Sequence, residues 1–392
     1  MRSTWKVSIS VILLGMGERD RLRPSEKVAA DLRRRIEANE WARGQVLPTI
    51  SALSAYYGVS RKAVSRAVHS LADDGLVEVV GRWGTFRASG LLSGTMQCGR
   101  FERIVGRMEG VTADAKAGVG GKSVPGTLNY VAPSSQRNRL YVGPGGHMTT
   151  TQYAPKTVRI SDGRPFRDDF ALDRSGFTLL DHHSAVTDFG DAAELDGVYT
   201  GEAIDLVREA TGADEVVALG WVIRRAGEDL RGAQPPAPDV HVDVHPGRAH
   251  VRLTAVAPEG RPFRRAIMTS LWRAFSPPPQ DWPLAILDYR SLADTEGVPN
   301  LLLFVDTLPD PDDVPDIPDP DAFPAGSIFT WRPEHRWWYF PDMHTSEALL
   351  FKLHDTDHSV AWRAPHTAFH DAGASGAHSR ESVELRTVAF FY

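Results

Sequence analysis

Residues 380–391 read Arg-Glu-Ser-Val-Glu-Leu-Arg-Thr-Val-Ala-Phe-Phe, and most of this stretch is predicted to be the last β-strand of the chain. Side chains alternate between the two faces of a strand, so Arg380, Ser382, Glu384 and Arg386 share one face. Apolar residues between them occupy the other face. Charges on the inner face of a terminal strand cost free energy unless they meet a partner. We therefore expect this strand to contribute to a binding site, with a surface ladder of charges as the alternative.

Short strand-like runs precede this stretch and are separated by Pro and Gly, which predicts a β-sandwich or jelly roll. One helix is predicted from Glu202 to Thr211. The acidic, Pro-rich residues 306–324 are predicted to be an insertion between strands, because Pro cannot donate within a central strand. The predicted strands are Thr157–Ile160, Phe177–Leu180, Val216–Ile223, Ala249–Val256, Ala266–Trp272, Leu284–Leu287, Leu301–Val305, Ser327–Trp331, Ala348–Leu353 and Val383–Phe391.

Three metal-ligand types occur in the order His-x-Asp and then a distant His, at His241, Asp243 and His366. Two imidazoles and one carboxylate form the facial triad that suits non-haem Fe(II) and leaves three positions open. The spacing alone is a weak signal, because the chain contains 14 His. Arg380 follows the second His and, assisted by Ser382, would grip the far carboxylate of 2-oxoglutarate. The sequence therefore favours an iron centre that takes a 2-oxo acid.

Other polar and aromatic residues are weaker candidates. The run His354-Asp355-Thr356-Asp357-His358 offers a competing metal cluster. We rank it lower because it is not followed by an Arg at a comparable position on a strand, as Arg380 follows His366. Arg290 and Lys352 are secondary candidates for the charge of the substrate or co-substrate. Trp338 would line an apolar substrate pocket or, alternatively, fill the β core.

Charge divides the chain into a basic N-terminal part and an acidic body. Residues 1–90 contain 15 Lys and Arg against 9 Asp and Glu, and the remainder contains 29 against 41. This division predicts a polyanion-binding module joined to a different domain. The single Cys excludes an internal disulfide framework and a Cys-based zinc site. No apolar run is long enough to span a bilayer. Residues 7–16 are predicted to be a first β-strand, or to reflect an upstream mis-assigned start codon, rather than a signal peptide, so we expect a cytoplasmic location.

The basic part has the pattern of a winged helix-turn-helix. Helices are predicted over residues 24–39, from Thr49 to Gly58 and from Arg61 to Ala72, followed by short strands at 76–80 and 85–87. The third helix would enter the major groove of DNA, and the wing would reach the backbone or minor groove. The candidate DNA-binding residues are Thr49, Arg61, Lys62, Ser65, Arg66 and Arg82.

This segment closely resembles the GntR-type DNA-binding domain. The resemblance is carried by Leu47-Pro48, Gly58-Val59-Ser60-Arg61, Gly75-Leu76 and Gly84-Thr85-Phe86, which occur in the family order. It implies binding to double-stranded DNA as a homodimer on two-fold sites. The run Thr49-Ile50-Ser51 departs from the family, which usually has an Arg shortly after the Leu-Pro pair.

The region from about residue 130 to the C-terminus resembles the CmcJ/AsaB-type hydroxylase/desaturase family. The resemblance is carried by His241-Val242-Asp243, by Pro283 to Leu292, by Trp338 to Met343 and by Arg380 to Arg386. It implies a double-stranded β-helix that uses Fe(II), 2-oxoglutarate and dioxygen. His245 departs from the family, which usually has Asp-Gln-Ser after the His-x-Asp start, and this change falls beside the expected metal.

The sequence therefore predicts a multidomain protein in four parts. An unassigned N-terminal extension (residues 1–22) precedes an α+β winged helix-turn-helix (23–90), a linker (91–127) and a mainly β, jelly-roll domain (128–392). The expected function is an Fe(II)/2-oxoglutarate-dependent hydroxylase or desaturase of a small secondary metabolite, fused to a DNA-binding domain. The alternative is a transcriptional regulator that uses the oxygenase fold as a ligand sensor. An oxygenase of nucleic acid is disfavoured because the body is acidic.

Overall fold

The chain divides into two compact units, residues 1–95 and 96–392. Several sequence predictions lie outside the described residues, namely those on residues 1–22, on Thr49, on Arg82 and on residues 91–121 of the predicted linker. No helix among the described residues is long and apolar enough to cross a membrane. The computed structural model describes residues 23–38, 40, 47–48, 50–80, 84–87, 122–133, 138–143, 146–227, 230, 233–311, 313–317, 320 and 323–392.

The first unit is a winged helix-turn-helix, as predicted. Its α3 begins after Ser60, whose side chain accepts a hydrogen bond from the backbone N–H of Ala63, and this cap satisfies a donor of the first turn. Val64, Val68 and Leu71 of α3 pack with apolar residues of α1 in one small core. β1 and β2 pair antiparallel and form the wing. The elements are α1 (Pro24–Glu37), α2 (Ile50–Tyr57), α3 (Arg61–Asp73), β1 (Val77–Val80) and β2 (Gly84–Arg87).

The second unit is mainly β. Its strands are β3 (Ser123–Val131), β4 (Asn138–Gly143), β5 (Gly146–Thr149), β6 (Tyr153–Asp162), β7 (Phe177–Asp181), β8 (Glu215–Arg225), β9 (His241–Val242), β10 (Arg265–Ala274), β11 (Leu284–Leu287), β12 (Val298–Phe304), β13 (Ala325–Ile328), β14 (Trp337–Tyr339), β15 (Glu347–Asp355), β16 (His366–Ala368) and β17 (Glu381–Phe391). Its helices are α4 (Leu172–Ser175), α5 (Ala192–Glu194), α6 (Thr200–Thr211) and α7 (Pro246–Val256).

These strands form two sheets that face each other as a double-stranded β-helix, which confirms the predicted fold class. One sheet has the order β7-β15-β10-β17-β8, and the other contains the run β14-β11-β16-β9. The chain changes sheet at each step from β8 to β11 and again from β14 to β17. Consecutive strands therefore lie in opposite sheets, and residues far apart in sequence meet across the barrel.

β17 is an interior strand of the five-stranded sheet, next to the edge strand β8, and is buried on both faces. It pairs antiparallel with β10 and β8. Val383 and Leu385 face the outer core, which α6 covers. Val388 and Phe390 face the inner core between the two sheets. The alternation predicted from the sequence therefore places the charged face of β17 inside the barrel.

The predicted strand over Ala249–Val256 is wrong, because these residues belong to α7. Pro246 fits the first turn of a helix, and the His245 side chain accepts a hydrogen bond from the backbone N–H of Gly247. The buried residues Ala249, Leu253 and Val256 are spaced four and three residues apart, as on one face of a helix. They do not occupy the alternate positions that one face of a strand would bury. Part of the predicted linker also forms structure, since β3 begins at residue 123.

Several short strands were not predicted, among them β9 and β16, which have two and three residues. Such segments are too short to show a period. The described part of residues 306–324 forms no strand and connects β12 to β13.

Candidate metal centre and DNA-binding surface

Two imidazoles from neighbouring strands form the centre of the candidate site. His241 on β9 and His366 on β16 are cross-strand partners, and their ring centroids lie 4.5 Å apart. The ring of Phe351, on the inner face of β15, lies 4.6 Å from that of His366. Both imidazoles therefore lie within the barrel.

Each imidazole is held by a backbone carbonyl two residues earlier in the chain. Nδ1 of His241 donates to the carbonyl of Asp239 at 2.7 Å, and Nδ1 of His366 donates to that of Ala364 at 3.1 Å. A carbonyl oxygen only accepts, so Nδ1 carries the proton and Nε2 keeps its lone pair. Burial, with nearby His241, lowers the pKa of His366 to about 4, so this ring is neutral near pH 7. Both rings present the form that binds a metal.

The third predicted ligand, Asp243, is buried beside these rings. Its Oδ1 lies 3.8 Å from Nε2 of His241, and its Oδ2 lies 2.6 Å from Nη2 of Arg386. Adjacent ligand atoms in an octahedral site with bonds of about 2.1 Å are about 3 Å apart. As they stand, no three His, Cys, Asp or Glu of the described chain are arranged to hold a metal ion. The donor set nevertheless fits one, because two neutral imidazoles and a carboxylate are suitable ligands and the separation of 3.8 Å between Asp243 and His241 exceeds the octahedral spacing by only about 1 Å.

Arg380 and Ser382 provide a place for a carboxylate. Arg380 is 1% exposed, and its Nη1 donates to the carbonyl of Trp282 at 2.9 Å. Nε of Arg380 and Oγ of Ser382 are buried without a hydrogen-bond partner among the described residues. Burial, together with the like charge of Arg224, lowers the pKa of Arg380 to about 9. A buried guanidinium next to a free hydroxyl fits the far carboxylate of 2-oxoglutarate.

A chain of buried charges that was not predicted from the sequence ends at Asp243. Nη2 of Arg386 lies 2.6 Å from Oε1 of Glu384, whose Oε2 lies 3.4 Å from Nε of Arg224. Burial alone would lower the pKa of Arg386, but the carboxylates of Asp243 and Glu384 raise it. The alternation of side chains along β17 already predicted that Glu384 and Arg386 lie on the inner face of this strand. The surface-ladder alternative is therefore wrong for these residues.

Arg252 is a further cation that the sequence analysis missed, because the helix that carries it was predicted to be a strand. It lies on the side of α7 that also carries the buried Leu253 and Val256. Burial and the like charge of Arg386 lower the pKa of Arg252 to about 10, although the negative charge of Asp243 partly offsets this effect. No hydrogen bond or ion pair links Arg252 to another described residue.

The structure places the secondary candidates Lys352 and Arg290 away from the candidate metal ligands and from the buried charges next to Asp243. Lys352 follows Phe351 on β15 and so points to the opposite face, where Nζ donates to Asp355 at 2.7 Å. Arg290 donates two hydrogen bonds to Asp288, at 2.8 and 2.7 Å. Each of these cations already has a carboxylate, so neither is set up to receive the charge of a ligand.

Trp338 lies in the inner core and is 8% exposed. Its ring packs edge-on against Phe166 and Phe170, with centroids 5.6 and 5.1 Å away. These contacts are those of a core residue, which was the alternative given for Trp338. Contact between Trp338 and a substrate stays a prediction.

The competing cluster is not assembled as a metal site. The rings of His354 and His358 lie 5.5 Å apart, and that of His358 stacks on Trp362 at 4.4 Å. Asp355 instead accepts hydrogen bonds from Lys352 and from Arg265. Its carboxylate is therefore neutralised by cations and does not complete a ligand set with the two imidazoles.

His245, which departs from the family pattern beside Asp243, acts as the N-cap of α7. Burial and the nearby Arg248 lower its pKa. The altered residue is thus part of the connection between the metal-ligand strand and the helix that carries Arg252.

A cavity of about 910 Å³ lies beside the five-stranded sheet. Arg225 and Glu381, which line it, pair across β8 and β17 on the outward face. None of the predicted metal or 2-oxoglutarate residues lines this cavity.

In the first unit, α3 presents a basic face. Arg61, Lys62 and Arg66 are exposed, whereas Val64 and Val68 of the same helix are buried. Ser65 is half-buried, and its backbone carbonyl accepts a hydrogen bond from His69. The predicted contact residues therefore share the side of the helix that a groove of DNA could approach.

Each of the two units matches a known protein family. Residues 128–390 match the family described as oxidoreductase/YMDC permease-like domain. Residues 24–86 match the bacterial regulatory proteins of the gntR family. The first match covers more than half of the chain, and the second covers the winged helix-turn-helix.

Named relatives and a solved structure are similar to the second unit. The α-ketoglutarate-dependent dioxygenase phiK of Fungal sp. (strain ATCC 74256) is 29% identical over 302 residues, which are 71% of this chain and 99% of phiK. The hydroxylase/desaturase asaB of Aspergillus flavus is 36% identical over 147 residues, covering 36% of this chain and 61% of asaB. The structure of the iron and α-ketoglutarate-dependent endoperoxidase NvfI has 25% identity and a TM-score of 0.57, covering 69% of this chain and 98% of NvfI. The resemblance to hydroxylases and desaturases is thereby confirmed.

The buried imidazole of His354 is expected to make stability depend on pH. Burial, with nearby His358, lowers its pKa from 6.5 to about 4. Between these values the unfolded chain binds a proton that the folded chain does not, so the stabilisation is complete above pH 6.5 and is lost as the pH falls towards 4. We expect His354→Phe to reduce this acid-side loss by about 3 kcal/mol. Denaturant unfolding of the metal-free protein at several pH values measures it.

The exposed His250 serves as the control, because His250→Phe should leave the pH dependence of unfolding as it is in the unaltered protein. An identical pH dependence for His354→Phe and the unaltered chain would contradict the prediction.

Proposed function

Since the chain belongs to the oxidoreductase/YMDC permease-like family through residues 128–390 and carries a gntR-family segment, we propose that it is an Fe(II)/2-oxoglutarate-dependent hydroxylase or desaturase. Its substrate is a small molecule of secondary metabolism, and its DNA-binding unit binds double-stranded DNA as a homodimer. His241, Asp243 and His366 are the proposed metal ligands. Arg380 and Ser382 are proposed to bind 2-oxoglutarate.

The observation that carries the proposal is the arrangement of the two imidazoles. Each donates Nδ1–H to a carbonyl of its own strand region, which leaves both Nε2 lone pairs free beside a buried carboxylate. A structural His would satisfy both ring nitrogens. A pair with the same orientation next to an Asp is what an Fe(II) site with open positions needs.

The residues of this chain supply binding and orientation. His241, His366 and Asp243 would hold Fe(II) on one side, and Arg380 with Ser382 would fix the far end of 2-oxoglutarate. Bound Fe(II), 2-oxoglutarate and dioxygen together supply the oxidising power that removes hydrogen from an unactivated carbon. Apolar residues such as Phe351 and Trp272 surround the site and limit the access of water.

A ligand sensor built on the same fold is the second candidate, because the gntR-family segment is typical of regulators. The two functions differ in turnover. An enzyme releases succinate when it is given Fe(II), 2-oxoglutarate and dioxygen with a substrate, whereas a sensor binds the same ligands and alters its affinity for DNA.

Fe(II) and 2-oxoglutarate, added without oxygen, are expected to give a visible charge-transfer band. His241→Ala should abolish this band because it removes one of the Nε2 donors. His250→Ala, which alters an exposed imidazole nearby, should leave it unchanged. Anaerobic absorption spectroscopy measures the band, and its absence from well-folded unaltered protein would reject the iron-centre proposal.

Arg380→Gln is expected to weaken the binding of 2-oxoglutarate. A hydrogen-bonded charge contributes about 1.5–3 kcal/mol, so the Kd should rise by about 10- to 100-fold. The Kd of Fe(II) should hardly change, because Arg380 is not a proposed ligand. Titration of the charge-transfer band with 2-oxoglutarate gives the first value. An unaltered Kd for 2-oxoglutarate would show that another cation binds its far carboxylate.

Arg61→Ala is expected to weaken binding to double-stranded DNA and to lower its salt dependence, because fewer counterions are released. A phosphate contact predicts a change of about one unit in the slope of log K against log salt. Fluorescence anisotropy with duplex DNA at several salt concentrations measures both quantities. Arg208→Ala, which alters an exposed Arg of the other unit, is the control. Equal slopes for both variants would count against α3 as the DNA-binding helix.

A further inference from the structure

Asp243 is held by a buried cation that belongs to a different sheet. We propose that Arg386 is a positioning residue, which holds Oδ2 of Asp243 so that Oδ1 faces the two imidazoles and binds the metal through one oxygen. This inference rests on the proposed function, since it assigns a role within the same metal centre. It adds a residue that touches neither the metal nor 2-oxoglutarate.

The two oxygens of Asp243 have different surroundings. Oδ2 lies 2.6 Å from Nη2 of Arg386, whereas Oδ1 lies 3.8 Å from Nε2 of His241. A carboxylate rotates freely about its last bond unless one oxygen is fixed. Because Arg386 engages Oδ2, the other oxygen is left on the side of the imidazoles. The ion pair thus selects one-oxygen ligation over two-oxygen ligation.

Arg386 is itself fixed from behind. The same Nη2 lies 2.6 Å from Oε1 of Glu384, and Oε2 of Glu384 lies 3.4 Å from Nε of Arg224. These residues lie on the neighbouring strands β17 and β8, which are the second strand from one edge of the sheet and the edge strand itself. All four side chains are less than 10% exposed, so solvent does not screen the pairs. The orientation of Asp243 is therefore tied to a rigid sheet.

The three ligands are then oriented by the same principle. Backbone carbonyls fix His241 and His366 through Nδ1, and a guanidinium fixes Asp243 through Oδ2. In each case an atom away from the proposed metal position is engaged, and another atom of the same side chain is the proposed ligand. Partners of this kind affect metal affinity because they remove the cost of orienting the ligand when the metal binds.

A purely electrostatic role for Arg386 predicts the opposite sign. A positive charge beside Asp243 repels a metal cation, so its removal should tighten metal binding if charge alone matters. Arg252 offers the matched comparison, because it also lies near Asp243 but forms no hydrogen bond or ion pair with the described residues. Removal of either Arg takes away one positive charge, but only removal of Arg386 frees the carboxylate.

The experiment measures the affinity of the metal-free full-length protein for Co(II), a spectroscopic substitute for Fe(II), by absorption titration. Arg386→Met should raise the Kd by about 10- to 100-fold and alter the Co(II) spectrum. Arg252→Met should leave the Kd unchanged or lower it. Arg386→Lys, which retains a charge that can reach Asp243, should restore part of the affinity and guards against failure of Arg386→Met to fold.

Thermal unfolding of each metal-free variant separates positioning from stability. Arg225→Gln breaks the pair with Glu381 on the outward face of the same two strands, so it should affect stability without affecting Co(II) binding. If Arg386→Met and Arg386→Lys bind Co(II) as tightly as the unaltered protein or more tightly, the positioning role is wrong. If the unaltered protein binds no Co(II), the proposed iron centre fails instead.

Discussion

The free-energy cost of placing charged side chains between two packed sheets constrains the arrangement of the second unit. β17 carries Arg380, Glu384 and Arg386 into the interior of the barrel, where a charge without a partner is costly. The chain meets this cost with a row of alternating signs from Arg224 to Asp243. One end of the row fixes a proposed metal ligand. Close to its other end, Arg224, lies the guanidinium of Arg380, which forms no ion pair with a carboxylate of the described chain.

The double-stranded β-helix makes this arrangement possible. Because the chain changes sheet from β8 to β11 and again from β14 to β17, β9 and β16 become neighbours although six strands, β10 to β15, lie between them in sequence. His241 and His366 then face each other within one sheet, while Arg386 approaches Asp243 from the opposite sheet. The site is therefore shared between the two sheets, and neither could form it alone.

The two units carry different surfaces for different partners. The first unit exposes Arg61, Lys62 and Arg66 on one helix. Water and counterions screen these charges, and a polyanion that binds there would release the counterions. The second unit buries Arg380 and Arg386, and a buried guanidinium favours tight contact with small anions. The gntR-family and oxidoreductase matches follow the same division.

The sequence by itself determined the winged helix-turn-helix, the β fold class and the face of β17 on which Arg380 and Arg386 lie. These features follow from local periodicity, which the residues of one segment contain. It did not determine that Ala249–Val256 is a helix, because a short apolar run fits both periods until the cap at His245 and the packing partners are known. Only the tertiary structure decided that Arg386 meets Asp243 and that Lys352 and Arg290 have their own carboxylates. The pairing of Arg386 with Asp243 depends on which strands face each other, and strand order is set by contacts between segments that are distant in sequence. Arg290 and Lys352 instead pair with carboxylates two and three residues away.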